Sequence, residues 1–473
     1  MFETDLPLNR LWNDYDFDLL KPCCSITESS TQNYSRDFGR MLTSNPLIVF
    51  LPKTIEQLQQ FVKIVSKHKI KMSCRGKGSS AYGQSLCENG VIIDLNELEI
   101  EWKISSSNEQ YSLNAPACTT WAKVVELALT MNLTVPVTLD HLDLTLAGTL
   151  NFGPIGGSSY KHGAGADNIL SLQVVTLDGE LHTCSETENT DLFNAVLCGL
   201  GQVAIVVSVT LSLIQVKPDV SLHLLKYDDM SLFLADQKKL YDSGLLDHLK
   251  GFAHKVESKW EYVIEAANYH LEKEDKGTSE FLSSLTPDRS SNEEMSYWKF
   301  VNQVTDMVAA LGEAGKLDVP HPWYNAFLPE NEIAAHLMLA LDNEYLTGNE
   351  PVIIYPMNAA CFKKPLFVKP DCQTFYLLGI LYNTSFVATT DFPFQDVLLH
   401  NKKLHIDAKA RGGCRYPVDA TPFTQDDWNE HFGDKWDEFC KNKQTYDPQY
   451  LLNTGMNITP PIVLEVTNNL HSL

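Results

Sequence analysis

Two stretches of this sequence hold residues whose types and spacing suit chemistry. Arg75-Gly76-Lys77-Gly78-Ser79-Ser80-Ala81-Tyr82-Gly83-Gln84 crowds small residues between two runs that read as strands. Glycine tolerates φ > 0 and close approach, and consecutive free N–H groups in such a turn form a concavity suited to pyrophosphate oxygens. The same run also fits a glycine-rich strand connection that binds nothing. Farther on, Asp140 lies among Leu139, Leu142, Leu144 and Leu146. That setting suits a buried carboxylate, while Asp140 or Asp143 also fits the cap of a turn. Neither H-E-x-x-H nor paired C-x-x-C occurs and His321 needs no metal, so no metal site is expected.

The elements that must position the glycine-rich turn are readable around it. Pro46 to Leu51 reads as a buried strand, and a helix opens at Thr54 with Gln57 three positions on, a capping-box spacing. Ile55, Leu58, Phe61, Val62 and Val65 recur at helical spacing. Ile70 to Cys74 gives a strand entering the turn and Val91 to Leu95 one leaving it. The order strand, helix, strand, turn, strand is not the dinucleotide fold, whose glycines open a helix and whose acid follows about 20 residues later. Beyond it come a helix over Thr119 to Asn132, a hairpin of Leu172–Thr176 and Glu180–Thr183 joined by Leu177-Asp178-Gly179, a short helix from Thr190 to Cys198 and a β-branched strand from Ala204 to Ile214.

At this point the residues resemble the flavoproteins with a vanillyl-alcohol-oxidase type FAD domain, and within them cytokinin dehydrogenase. That family's loop reads R-G-R-G-H-S-x-x-G-Q; this one reads RGKGSSAYGQ. Asp140 to Leu150 resembles D-Y-L-x-L-T-V-G-G-T-L, Lys161-His162-Gly163 resembles R-H-G, and Leu197 to Gln202 resembles L-G-G-L-G-Q. His321-Pro322-Trp323-Tyr324-Asn325 is similar to H-P-W-L-N, and Ile354 to Asn358 to I-Y-P-[LM]-N. His431 to Trp436 and Tyr446-Asp447-Pro448 match H-F-G-x-K-W and F-D-P. The matches keep the family order from about Asn45 to the C-terminus.

The resemblance implies an α+β fold: a two-part FAD-binding domain of PCMH type, residues 1–214 and 411–473, around a substrate domain of antiparallel sheet flanked by helices, residues 215–410. It assigns the pyrophosphate cradle to the backbone of Gly76, Lys77, Gly78, Ser79 and Ser80, with Gln84 closing the loop, and gives Thr145, Asn151, Ile155 and Ile205 as further FAD contacts. Asp140 takes the place of the catalytic aspartate, which accepts a hydrogen bond from a substrate amine; desolvation in an apolar, flavin-walled pocket disfavours the charged carboxylate and suits it to act as a base. Trp323, Pro351 and Leu381 fall where the family lines its substrate cleft. The implied reaction is oxidation of the N6 side chain of an adenine-type cytokinin to an imine that hydrolyses to adenine and an aldehyde, with O2 or a quinone as electron acceptor. A related small amine, an alcohol or a sugar is the alternative substrate, and a flavin-binding protein without catalysis the alternative of a different class.

Three positions depart from the family. Ser79 stands where many members carry a histidine bonded to the flavin, so FAD is expected to be non-covalent. Lys250, in His248-Leu249-Lys250-Gly251, replaces an acid placed at the cleft entrance in plant members. Met456 replaces the glutamine of P-G-Q.

Composition fits such an enzyme. The 473 residues, 44% of them hydrophobic, suffice for two domains with full cores. A net charge of −23 argues against nucleic acid, which needs a concentrated positive surface, and against anionic lipid. No apolar run approaches the ~20 residues of a membrane span, so no membrane partner is expected. Met1-Phe2-Glu3-Thr4-Asp5 lacks the basic and apolar regions of a signal peptide, and eleven irregularly spaced cysteines form no disulfide framework. The expected location is cytoplasmic, with export by an uncleaved signal left open. The polar stretch Glu272 to Asn292 reads as a linker.

Overall fold

The computed structural model describes residues 7–26, 31–107, 110–271, 276–347, 350–384 and 393–459. Its three sheets follow from the patterns above. In the first, strands run in the order Cys24–Ser25, Ile48–Phe50, Val91–Asp94 and Met72–Arg75, and the last three are mutually parallel. Parallel neighbours need a crossover, which the helix Ile55–Lys67 supplies. Its capping box forms as the sequence predicts: Gln57 N–H donates to Thr54 Oγ1 and Thr54 N–H to Gln57 Oε1, both at 3.3 Å. Leu58, Phe61, Val62 and Val65 bury against Ile48, Phe50 and Ile93.

The second sheet is antiparallel, in the order Lys103–Ser107, Gln110–Pro116, Ile205–Gln215, Ile169–Val175, Leu181–Ser185. The predicted hairpin closes through Leu177-Asp178-Gly179, with Gly179 at φ 76° supplying the left-handed position of a three-residue loop. The helix Trp121–Leu129, capped by Thr120, buries Trp121, Val124, Val125 and Ala128 in its core.

The third sheet has eight strands, all antiparallel, in the order Arg289–Ser296, Asp219–Tyr227, Lys259–His270, His248–Val256, Val352–Asn358, Thr374–Ile380, Tyr324–Pro329, Cys414–Arg415. Side chains alternate across it. Val352, Ile354, Leu378 and Ile380 face the helices Met230–Ser243, Ile333–Leu341 and Phe394–Ala410. Ile353, Tyr355, Met357 and Leu377 instead join the core that contains Leu146, Leu150 and Ile155 from the first half of the chain. This shared face is where the two parts of the chain meet.

The stretch expected to be a linker is largely regular structure. Residues 272–275 lie outside the described residues, but Lys276–Leu282 is helical and Arg289–Ser296 is the edge strand of the third sheet. Its polarity reflects that edge, where a charged outer row discourages pairing with other chains. At the other end of the chain, Cys414–Arg415 pair with Tyr324–Pro329, whereas Leu452 bridges Met72 in the first sheet. Among the described residues no helix is long and apolar enough to cross a membrane.

Candidate active site

The glycine-rich turn is held from behind. Asp37, buried, accepts hydrogen bonds from Gly83 N–H (2.6 Å) and Ser80 Oγ–H (2.9 Å), while Phe38 and Gly39 N–H donate to the carbonyls of Gly78 and Ser80. Gln84 accepts from Tyr82 N–H at 2.7 Å and donates to the Asp419 carbonyl at 3.2 Å, closing the loop. These bonds occupy the carbonyls and leave the amides: among the described residues no acceptor meets the backbone N–H of Lys77, Gly78, Ser79 or Ser80. Gly78 sits at φ 72° and carries the Arg75 guanidinium 2.3 Å from where a Cβ would stand. Four consecutive free donors around a left-handed glycine fit a pyrophosphate. Gly78→Ala should therefore distort the turn and lower the flavin-to-protein absorbance ratio of the purified protein several-fold; an unchanged ratio would separate the turn from the cofactor.

The aspartate segment lies directly against this turn. A Cβ on Gly76 would meet Thr145 Oγ1 at 2.4 Å, and Lys77 Nζ pairs with Asp143 Oδ1 at 3.3 Å. Thr145 precedes the short helix Leu146–Leu150 but makes no side-chain cap bond, so capping does not account for its hydroxyl. Asn151 ends that helix and accepts from Leu200 N–H. Ile155 is buried in the shared core, and the Ile205 side chain belongs to the core between the first two sheets. His141 Nδ1 is buried without a partner beside the turn, and burial lowers the pKa of that imidazole. The segment is pinned by Leu142 N–H donating to Thr305 Oγ1 (2.8 Å) and by Gly156, whose lack of Cβ admits the Thr138 carbonyl.

Asp140 does not stand alone among leucines. Tyr355 O–H donates to its Oδ2 at 2.5 Å, and Lys250 Nζ to its Oδ1 at 3.1 Å. The two donors come from adjacent strands of the third sheet, so the carboxylate sits on the seam between domains. Lys250 is thus buried against the Asp140 carboxylate, its side chain 10% exposed, and not at an open entrance as the resemblance implies for the acid it replaces. Its ammonium also pairs with Glu265 Oε1 at 3.1 Å, the residue opposite it across the hairpin, and His248 Nε2 lies 3.1 Å from the same oxygen. Burial opposes the charge on Lys250, but Asp140 and Glu265 outweigh it and hold its pKa well above the usual value. Burial likewise works against the Glu265 carboxylate, yet Lys250 and His248 hold it at about 2. Burial and the neighbouring Asp140 push the Tyr355 phenol well up, so it remains a donor.

A depressed carboxyl stabilises the fold above its unfolded value, near 4.5, and loses that contribution as pH falls toward about 2. Thermal melts of Glu265→Gln should accordingly show a lower Tm at pH 7 and a flatter Tm–pH slope between these values than wild type. Equal slopes would contradict the depressed Glu265.

The three cleft residues form one row. Val352 and Tyr324 both pair with Ile380; one step outward Leu381 N–H donates to the Pro351 carbonyl, and Trp323 immediately precedes Tyr324. That row stands four residues, about 13 Å, from the row of Tyr355 along Val352–Asn358. The Trp323 indole donates to the Tyr382 carbonyl and tilts against Phe38, the residue whose N–H holds the Gly78 carbonyl. Met456 lies at the turn too, because Gly455 presses on the Gly83 carbonyl.

Tyr355 and His248 stand in the sequence only as members of quoted segments, and Glu265 belongs to none of them. The register of the hairpin His248–Val256 and Lys259–His270 would have exposed the Lys250–Glu265 pair.

A family model described as "Cytokinin dehydrogenase 1, FAD and cytokinin binding" matches residues 235–459, and one described as "FAD binding domain" matches 46–185. The chain is 29% identical to an uncharacterized oxidoreductase of the fasciation locus of Rhodococcoides fascians, covering 89% of this chain and 96% of that protein. It is 29% identical to cytokinin dehydrogenase 7 of Oryza sativa subsp. japonica, covering 92% and 90%. In fold it is similar to a VAO-type flavoprotein from Myceliophthora thermophila C1 (TM-score 0.72, 15% identity, 97% of each chain). The 6-hydroxy-D-nicotine oxidase of Arthrobacter nicotinovorans is similar too (TM-score 0.70, 17% identity, 92% and 97%).

Proposed function

We propose that this chain is a cytokinin dehydrogenase-like flavoprotein, an FAD-dependent oxidoreductase of the vanillyl-alcohol-oxidase type, and that it oxidises the N6 side chain of an adenine-type cytokinin. The product is an imine that hydrolyses to adenine and an aldehyde. FAD, when bound, supplies the acceptor for the hydride leaving the carbon next to nitrogen. The chain's own residues do the rest.

The observation that carries this reading is Asp140, a carboxylate fixed by Tyr355 and Lys250, in a segment whose Asp143 and Thr145 pack on a turn with free amides. Its remaining lone pairs accept the substrate N–H, orienting the nitrogen and holding its proton as the C–H bond breaks. Tyr355 positions the carboxylate. Lys77 to Ser80 hold the pyrophosphate through backbone N–H, Gln84 keeps their loop shut, and Trp323, Pro351 and Leu381 wall the far end of the cleft. About 13 Å between the two rows suits an elongated, planar molecule. The acceptor of the electrons is O2 or a quinone, and the setting is cytoplasmic.

Because Ser79 offers a hydroxyl where a histidine would be needed, the FAD is non-covalent. Acid precipitation should leave a colourless pellet and a yellow supernatant; a yellow pellet would refute this. The Lys250 ammonium beside Asp140 favours weighing a second reading, oxidation of another small amine, an alcohol or a sugar on the same scaffold. A panel of isopentenyladenine, alditols and aromatic alcohols under anaerobic conditions separates the two. Isopentenyladenine is expected to bleach the flavin and to yield adenine, and bleaching by an alditol or aromatic alcohol alone would replace the proposal.

A further inference from the structure

Resting on the adenine-type reading above, we infer that Lys250 is a specificity-determining residue that donates to a ring nitrogen of the substrate while Asp140 accepts from the neighbouring exocyclic N–H. An ammonium carries three hydrogens. Two of those on Lys250 meet Asp140 Oδ1 and Glu265 Oε1, each at 3.1 Å, and the third meets no acceptor among the described residues. Asp140 Oδ1 and Oδ2 each receive one donor and keep a second lone pair. One acceptor and one donor therefore stand side by side, 3.1 Å apart, where the Asp140 segment meets the third sheet.

That pair matches a molecule presenting an N–H and a bare ring nitrogen side by side on one edge. Adenine offers this adjacency on two edges, and proteins read the N6/N7 edge bidentately with one acceptor and one donor. A saturated alkylamine, protonated at neutral pH, presents donors only and would set a second ammonium against Lys250. An aryl amine without ring nitrogen leaves the third Lys250 hydrogen unmet in a site where its side chain is 10% exposed. The substrate class is thus a secondary amine on a nitrogen heteroaromatic ring, with a bare ring nitrogen on the same edge as the exocyclic N–H. Glu265, fixed across the hairpin and braced by His248, keeps the ammonium aimed; it is a positioning residue.

The test uses the FAD-loaded protein with isopentenyladenine and its 1-deaza and 7-deaza analogues, read by equilibrium dialysis and by anaerobic flavin bleaching. The analogue lacking the contacted nitrogen should bind about 10- to 100-fold more weakly than the parent, and the other analogue about equally. In Lys250→Met the discrimination should vanish, and in Lys250→Arg it should persist in part. Parent oxidised at full rate with both analogues bound within twofold of it overturns the role of Lys250 and leaves the adenine-type reaction standing. Isopentenyladenine that neither binds nor bleaches the flavin removes the adenine-type substrate itself, and this inference with it. The analogue arm is performed on the wild-type chain, so a Lys250 variant that fails to fold does not decide the outcome.

Discussion

Asp140→Asn is expected to slow flavin reduction by isopentenyladenine about 10²- to 10⁴-fold while FAD stays bound. The substitution keeps shape and removes charge. The amide cannot accept from Tyr355, Lys250 and a substrate N–H together as a carboxylate does, and it has little affinity for a proton. The cradle amides of Lys77 to Ser80 and their Asp37 anchor lie elsewhere, so cofactor occupancy should hold. Anaerobic stopped-flow reduction and the visible spectrum measure both quantities on one sample. An unchanged rate would take Asp140 out of the chemistry, and loss of FAD would assign it a structural part instead.

The second large effect concerns the tie between the C-terminal segment and the flavin-type domain. Lys443 and Asp447 form a fully buried ion pair at 2.7 Å, and the ammonium also donates to the carbonyls of Gln202 and Leu452. Asp447 in turn accepts from Leu451 and Leu452 N–H, which fixes the segment that bridges Met72, the first residue of the strand Met72–Arg75 that leads into the turn. Lys443→Met leaves the Asp447 charge without its cation in the core and takes a donor from the Gln202 and Leu452 carbonyls. Destabilisation of about 3–5 kcal/mol is expected, with FAD lost more readily on dialysis. Adding Asp447→Leu should recover part of it, since two apolar groups cost less than one orphaned charge. Urea unfolding of the single and double variants checks this, and a single variant as stable as wild type would refute the tie.

What the sequence made legible is what local chemistry encodes. The capping box at Thr54, the helical spacing of Leu58, Phe61, Val62 and Val65, and the Asp-Gly loop at Asp178 each act within a few residues, and each forms as read. The glycine-rich turn was legible because only glycine takes φ 72° there while making room for Arg75. The Lys250–Glu265 pair was not, because it depends on hairpin register. Its two-residue turn, Glu257-Ser258, takes φ 49° and 69° without the Asn-Gly signature that would announce such a turn. Tyr355 belongs to the site only because strand parity turns it to the face opposite Ile354. The edge strand Arg289–Ser296 passed for a linker since solvent, not a core, selects its residues.

The central claim is that the turn at Gly76 to Gln84 and the carboxylate of Asp140 serve one flavin and one substrate from two parts of the chain. A crystal structure of the protein with FAD and isopentenyladenine tests it most directly. The account predicts pyrophosphate oxygens within hydrogen-bond distance of the amides of Lys77 to Ser80, and the substrate N6 within hydrogen-bond distance of Asp140. A cofactor bound away from that turn, or a substrate nitrogen whose nearest carboxylate is not Asp140, would contradict it.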